Sequence, residues 1–260
     1  MNISFIIPFH TARFDNLLQT LRFLTKNHNE TIKGSELVTV CQDSIEFLAN
    51  NQTKELSDLS NEFKVNKHFN MEESEMILAK MINVGVRNCS LNKVIVLESD
   101  RILPKDYFKN VENEIKPKTC ITCKCMKKLT KNANDEEITN ESFEYKDEYR
   151  SEENHIGLRN MWSGNTAFWR DDFFEADMMD EGYVGYGWAD SDMTNKMKEI
   201  GVKSIFQDEI ELHLWHPSQT YGKTNQKRLF INNGIRYCRK WGIEYPDWFK
   251  EEIENHRKLM

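Results

Sequence analysis

Residues 4–9, SFIIPF, form an apolar run too short for a helix and rich in bulky side chains, the pattern of a strand buried on both faces. The next stretch, RFDNLLQTLRFLTKN, changes period: Phe14, Leu17, Leu18, Leu21 and Leu24 recur at helical spacing and predict an amphipathic helix. ELVTVCQD returns to a strand pattern, and a weaker strand signal lies in FKVNKHF. ESEMILAKMINVGVRNC again has one apolar helical face and leads into KVIVLESD, whose Val94 to Leu97 run ends abruptly on Glu98, Ser99 and Asp100. The order β-α-β-β-α-β predicts an α/β fold with a mainly parallel sheet flanked by helices, in which ligands collect beyond the carboxyl ends of the strands. Asp43, Glu98 and Asp100 all fall at such ends.

The second half is patterned differently. KTCITCKCMKKL reads as a Thr/Ile/Cys strand; Cys120 and Cys123 have the C-x-x-C spacing of half a zinc site or a redox pair, but no second Cys or His pair follows at finger-like distance, so structural thiols are expected. Residues 130–155 are dominated by acids and lack a sustained apolar period, which predicts a solvated, mobile excursion, either a surface loop or a lid that orders over a substrate. Gly182, Gly185 and Gly187 alternate with Tyr183, Tyr186 and Trp188, suiting a sharply bent loop that presents flat rings to a ligand such as a sugar. Asp190 and Asp192 then open a helix that closes at Gly201; acids at this position are also ordinary helix caps. His213 and His216 flank Trp215, and either alone reads as a structural histidine. Paired with an acidic strand end, they complete a carboxylate and imidazole set suited to Mn²⁺ or a similar divalent ion such as Mg²⁺. The C-terminal RLFINNGIRYCRKWGIEYPDWFKEEIENHRKLM predicts amphipathic helices packed on the core, with a partner surface as the alternative.

Composition narrows the function classes. With 260 residues, 39% hydrophobic and 11% aromatic, one globular domain over 1–260 is the simpler organisation. The net charge of -7 argues against broad adhesion to phosphate backbones, so a nucleic-acid partner is possible only through a local basic groove. No window approaches the eighteen or so apolar residues of a membrane span, and a strand pattern from residue 3 leaves no room for a signal peptide, which predicts a cytoplasmic chain with its six cysteines as thiols.

IPFHTAR, CQD, AKMINVGVRN, VIVLESDRILP, WSGNTAFWR, GYVGYGWADSD and HLWH occur in the order found in GT-A glycosyltransferases. The sequence resembles the β1,4-galactosyltransferase type in particular, with the related chondroitin polymerase and polypeptide N-acetylgalactosaminyltransferase catalytic domains, over about residues 3 to 220. The resemblance implies the GT-A fold, a Rossmann-like, mainly parallel sheet flanked by helices, with a nucleotide-sugar half (1–100), an acceptor and metal half (156–220) and C-terminal helices (221–260). It implies a metal-dependent, inverting transfer of a hexose or N-acetylhexosamine from a UDP-sugar to a hydroxyl of a glycan or glycoconjugate. Glu98-Ser99-Asp100 resembles the DxD motif, with Asp100, His213 and His216 as metal ligands and Asp190 as the base acting on the acceptor hydroxyl. Pro8, Phe9, His10, Arg13, Gln42, Asp43, Asn83, Gly164 and Asn165 correspond to donor positions, alongside Glu98, Ser99 and Asp100; Tyr186, Trp188 and Asp192 correspond to acceptor positions. Three departures stand out: Glu98 replaces the first Asp of the motif, Leu78 replaces an Arg, and Trp188 and Ala189 replace the usual Gly and Glu before Asp190. Two other readings therefore remain: transfer to a modified nucleic-acid base, or a non-catalytic sugar-binding protein on the same scaffold.

Overall fold

Where the apolar runs fall, strands form. The computed structural model describes residues 2–43, 50–72, 75–129, 138, 140–143, 150–151, 165–216 and 223–258. β1 (Ser4–Phe9) lies between β2 (Glu36–Cys41) and β4 (Lys93–Leu97), parallel to both, and β3 (Val65–Asn70) extends the parallel set beyond β2. The sheet continues through β8 (Asn165–Trp169), antiparallel to β4, then β6 (Thr119–Lys128), β9 (Lys203–His213) and the two-residue β5 (Arg101–Ile102), with β7 (Arg150–Ser151) paired to β6. One nine-stranded sheet thus runs through both halves of the chain.

Alternation along β1 divides the core. Phe5 and Ile7 pack with the leucines of α1 (Phe14–Asn27) and with Tyr107 and Phe108 of α5 (Lys105–Glu114). Ile6 faces the opposite way, among Ala79, Ile82 and Val86 of α4 (Leu78–Asn88) and Met193 and Met197 of α7 (Ala189–Glu199). Gly85 lets α4 sit directly on the sheet: a β-carbon there would stand 2.2 Å from Ile6. Short α2 (Asn29–Ile32) follows α1, and α6 (Arg170–Glu175) follows β8. The C-terminal α8 (Lys223–Trp241) and α9 (Asp247–Arg257) build a separate aromatic cluster around Trp188, Tyr237 and Phe249, so they pack on the body of the protein as expected.

Two sequence expectations change. A helix, α3 (Asn50–Ser60), stands between β2 and β3, where β-β succession was expected; its apolar face is little more than Leu56 and Leu59 in a polar background, too sparse to register as a period. Of the acidic stretch 130–155, Ile138 and Phe143 pack against Ile102, Leu212 and Leu214, so this part is docked by isolated apolar anchors that carry no periodicity; most of the rest lies outside the described residues. Cys120 and Cys123 are buried thiols within β6, and no cysteine joins a metal-capable cluster among the described residues. No helix among those residues is long and apolar enough to cross a membrane.

Candidate active site

The end of β4 supplies the first component. Glu98 to Arg101 form a turn closed by the Arg101 N–H donating to the Glu98 carbonyl at 3.1 Å, and Thr20 of α1 donates to the Ser99 carbonyl at 3.0 Å. Arg101 then enters β5 opposite His213 of β9, and the Leu214 N–H donates to the Asp100 carbonyl at 2.8 Å. The Trp215 carbonyl accepts from Asn16 Nδ2 at 3.1 Å, which tethers the segment bearing His216 to α1. These pairings bring the Nε2 atoms of His213 and His216 to 3.5 and 3.3 Å from Asp100 Oδ2, and to 3.2 Å from each other.

Ligands in adjacent positions around a divalent ion, each about 2.1 Å from it, stand about 3.0 Å apart when octahedral and slightly farther when tetrahedral. The observed spacing therefore fits three ligands on one side of an ion, and all three ligand atoms lie within 4.8 Å of one another. Asp100 is 1% exposed, and its Oδ1 has no hydrogen-bond partner among the described residues. One carboxylate with two imidazoles suits a borderline cation such as Mn²⁺. Burial by itself would raise the Asp100 carboxyl; the hydrogen bond to His213 and the charges of Arg101 and Arg13 outweigh it and hold the group ionised, far below the usual carboxylate range.

Two partners here escaped the sequence reasoning. Arg101, 8% exposed, reaches Glu98 Oε2 at 3.2 Å, Asp100 Oδ1 at 3.5 Å and Glu211 Oε1 at 3.1 Å, while Glu211, fully buried, also accepts from Asn165 Nδ2. Glu211 lies two residues before His213 on one strand, hence on the same face; that i, i+2 spacing from a candidate ligand was the available signal. Asn165, opposite Leu97 in the β4–β8 register, is the donor-side residue the sheet places beside the motif; Gly164 lies outside the described residues.

The residues expected to form a nucleotide end lie at the tips of β1 and β2. Pro8 is buried, and Phe9, 3% exposed, packs toward Phe14 at 6.2 Å between ring centroids. His10 Nδ1 accepts from the Ala12 N–H at 3.0 Å, and His10 Nε2 stands 3.5 Å from Asp43. Asp43 accepts from the Thr11 N–H at 3.0 Å, from the Thr11 hydroxyl, and from the Cys41 thiol at 3.1 Å. Burial opposes its ionisation, yet these donors hold its carboxyl below the ordinary value. Gln42 is 2% exposed, with its Oε1 unpartnered among the described residues. Arg13 crosses to the metal corner and ion-pairs with Asp100 Oδ2. Asn83 sits elsewhere: its amide is buried, donating to the Met179 carbonyl and accepting from the Met179 N–H at 2.9 and 3.0 Å, and so ties α4 to the segment after α6.

The glycine and aromatic loop is shaped from behind by α8. Gly185 and Gly187 have φ of +76 and +90, a region that favours glycine. A β-carbon on Gly187 would meet the Phe230 ring at 2.7 Å, and one on Gly182 would meet the Arg236 guanidinium at 2.5 Å. Asn233 Nδ2 donates to the Val184 carbonyl at 2.9 Å. The glycines thus admit α8 rather than a ligand. Trp188 also has φ of +73, unusual for a bulky residue; the strain is held by Tyr237 and Phe249, with ring centroids 5.2 Å away, and a stacked Trp248. Asp192, 1% exposed, accepts from Trp241 Nε1 and Lys240 Nζ, each at 2.8 Å, and from the Tyr183 hydroxyl at 3.3 Å. Trp188 and Asp192 therefore face the C-terminal helices, whereas Tyr186 is 69% exposed and stacks on Phe230. Asp190 occupies the first turn of α7.

No known family model matches the sequence, and no curated protein does either. Among solved structures, the chain is similar to GalNAc-T7 with UDP, GalNAc and Mn²⁺ at 18% identity, covering 96% of this chain and 49% of that one, with a TM-score of 0.65. S. aureus TarS 1-349 in complex with UDP-GlcNAc aligns at 13% identity over 92% of this chain and 67% of that one, TM-score 0.60. Mannosyltransferase PcManGT from Pyrobaculum calidifontis, in complex with GDP-Man and Mn²⁺, aligns at 14% identity over 97% and 68%, TM-score 0.60. The chain spans about half the length of the first of these. At such identities the likeness establishes the fold, that of GT-A glycosyltransferases.

Proposed function

We propose that this GT-A chain is a metal-dependent glycosyltransferase that moves a hexose or N-acetylhexosamine from a UDP-sugar to a hydroxyl of a glycan or glycoconjugate, with inversion. The observation that carries the proposal is the convergence of Asp100, His213 and His216 at the carboxyl end of β4. The solved neighbours with bound UDP, UDP-GlcNAc or GDP-Man support a nucleotide-sugar donor, and two of them contain Mn²⁺.

Asp100, His213 and His216 would hold the ion, which when bound supplies positive charge against the diphosphate leaving group. Glu98, Ser99, Asn165, Gln42, Asp43, His10 and Arg13 line the donor side, with Asp43 and the unpartnered Gln42 amide oxygen offering acceptors to a ribose or base. Arg101 orients Glu98 and Asp100 through its ion pairs with both. On the acceptor side, Tyr186 offers an exposed ring for a sugar face and Asp190 the carboxylate that takes the proton from the attacking hydroxyl. Trp188 and Asp192 serve this side indirectly, by fixing the loop.

The test is a calorimetric donor screen with Mn²⁺ present, followed by UDP release on the tightest binder. Asp190→Asn should retain nucleotide binding and lose about 10²- to 10⁴-fold in transfer, the usual contribution of a general base. Unchanged turnover would remove Asp190 from this role; binding without turnover in the unsubstituted protein would favour the sugar-binding reading. Failure to bind any nucleotide sugar with any divalent ion would end the proposal.

A further inference from the structure

We propose that Arg13 is a counter-ion passed between two states of the site: it neutralises Asp100 in the absence of a divalent ion and turns to the donor diphosphate once the ion enters, making ion and nucleotide binding interdependent. The inference rests on the metal and nucleotide-sugar reading above and adds to it how the two ligands are coupled.

Arg13 contacts the same oxygen, Asp100 Oδ2, that His213 Nε2 and His216 Nε2 approach at 3.5 and 3.3 Å. A carboxylate that is 1% exposed needs a cationic partner, because burying it alone is costly. A guanidinium and a dication on one oxygen repel at contact distance, so entry of the ion weakens the Arg13 contact and favours its release.

The two arginines beside Asp100 are not equally able to leave. Arg101, with a side chain 10% exposed, faces Oδ1 at 3.5 Å and is also held by Glu98 at 3.2 Å and Glu211 at 3.1 Å, so it stays. Arg13 has a side chain 28% exposed and ion-pairs, among the described residues, with Asp100 alone. Its backbone is anchored where α1 begins, the N–H donating to the His10 carbonyl at 2.8 Å, so that only the side chain need swing. Once displaced, the guanidinium keeps a planar set of donors that matches phosphate oxygens, and a diphosphate held at the same corner is an adjacent anion for it. Ion entry then creates the phosphate-binding form of Arg13, and by linkage the diphosphate favours ion entry to the same degree.

The experiment is a Mn²⁺ titration of the full chain, followed by the electron paramagnetic resonance of free Mn²⁺, with and without UDP. It compares the natural sequence with Arg13→Gln, Arg13→Lys and Asp100→Asn; Arg13→Met, which keeps the aliphatic stem, repeats the measurement if Arg13→Gln misfolds. Arg13→Gln should bind Mn²⁺ alone at least about tenfold more tightly, while the factor by which UDP tightens Mn²⁺ binding falls at least about tenfold. Arg13→Lys should keep much of the natural coupling, and Asp100→Asn should lose Mn²⁺ binding. If Arg13→Gln and Arg13→Met bind Mn²⁺ alone no better than the natural chain while Mn²⁺ and UDP still bind together, the handover is wrong and the glycosyltransferase reading stands. Retained Mn²⁺ binding in Asp100→Asn overturns the handover as well, by placing the ion elsewhere. Absence of Mn²⁺ binding in the natural chain, with UDP or without, removes the metal reading and the handover together.

Discussion

The metal corner and the acceptor loop are both rich in acids and rings, yet they are built by opposite means. At the candidate metal corner, strands fix the backbone: β4 leads into Asp100, and the β5–β9 pairing sets the next residue, Arg101, opposite His213. The polar side chains there pair largely with one another, around the point that Asp100, His213 and His216 share. The acceptor loop has no ladder of its own. Its backbone crosses into left-handed space at Gly185, Gly187 and Trp188, and the carbonyls, rings and carboxylates of the loop are taken up by Asn233, Phe230, Lys240 and Trp241 of α8. Similar residue types therefore converge on one point in the first region and brace a loop in the second, and the difference follows whether the backbone is already held by strands.

The largest expected separation between the two is seen in function. His213→Ala should abolish Mn²⁺ binding and cut UDP-sugar turnover at least about a thousandfold, as expected when several kcal/mol of leaving-group stabilisation is lost. Its thermal midpoint should move little, because the ladder remains. A midpoint loss as large as that of a core substitution would show that the corner, like the loop, depends on its side chains.

Asp192→Ala should do the reverse. It strands the Lys240 and Trp241 donors behind the loop and should cost about 3 kcal/mol, somewhat less than a fully buried pair because Lys240 is a third exposed. In a chain of this size that lowers the thermal midpoint by about 5–10 °C. Mn²⁺ binding should be unchanged. If the midpoint holds but affinity for an identified acceptor drops, Asp192 belongs to the acceptor site and the contrast fails at that residue.

The smallest effect concerns pH. Burial pushes the Asp180 carboxyl up, but the Gly182 N–H and the Arg236 guanidinium outweigh it and hold it below its ordinary value. A carboxyl lowered on folding stabilises the protein fully above its unfolded value, about pH 4, and that contribution is lost as pH falls through the lower folded value. Since Arg236 is half exposed, the amount should be below about 1 kcal/mol. A profile of thermal midpoint against pH should lose that part of its acid slope in Asp180→Asn; an identical slope would mean that the loop is not held by this pair.

Much of this was legible beforehand, and the limits have physical causes. β1, β2 and β4 are near-continuous apolar runs, and the apolar faces of α1 and α4 recur at helical spacing, so local pattern was sufficient. α3 was missed because two leucines in a polar segment do not make a period. The pairing of Arg101 with Glu211 spans 110 residues and leaves no local trace beyond the i, i+2 spacing of Glu211 and His213. Trp188 and Asp192 looked like ligand contacts because a ring and a carboxylate beside glycines suit a sugar equally well; only the position of α8 shows which side they face.

The amino-acid sequence by itself determined the alternation of strands and helices and the residue types at the strand ends, since burial period and turn chemistry act between near neighbours. Tertiary structure alone decided that Asp100, His213 and His216 share one point, that Arg13 reaches the same oxygen, and that the aromatic loop leans on α8. Those outcomes depend on sheet order and on the approach of a distant helix, which emerge from packing the whole chain and from no segment of it alone.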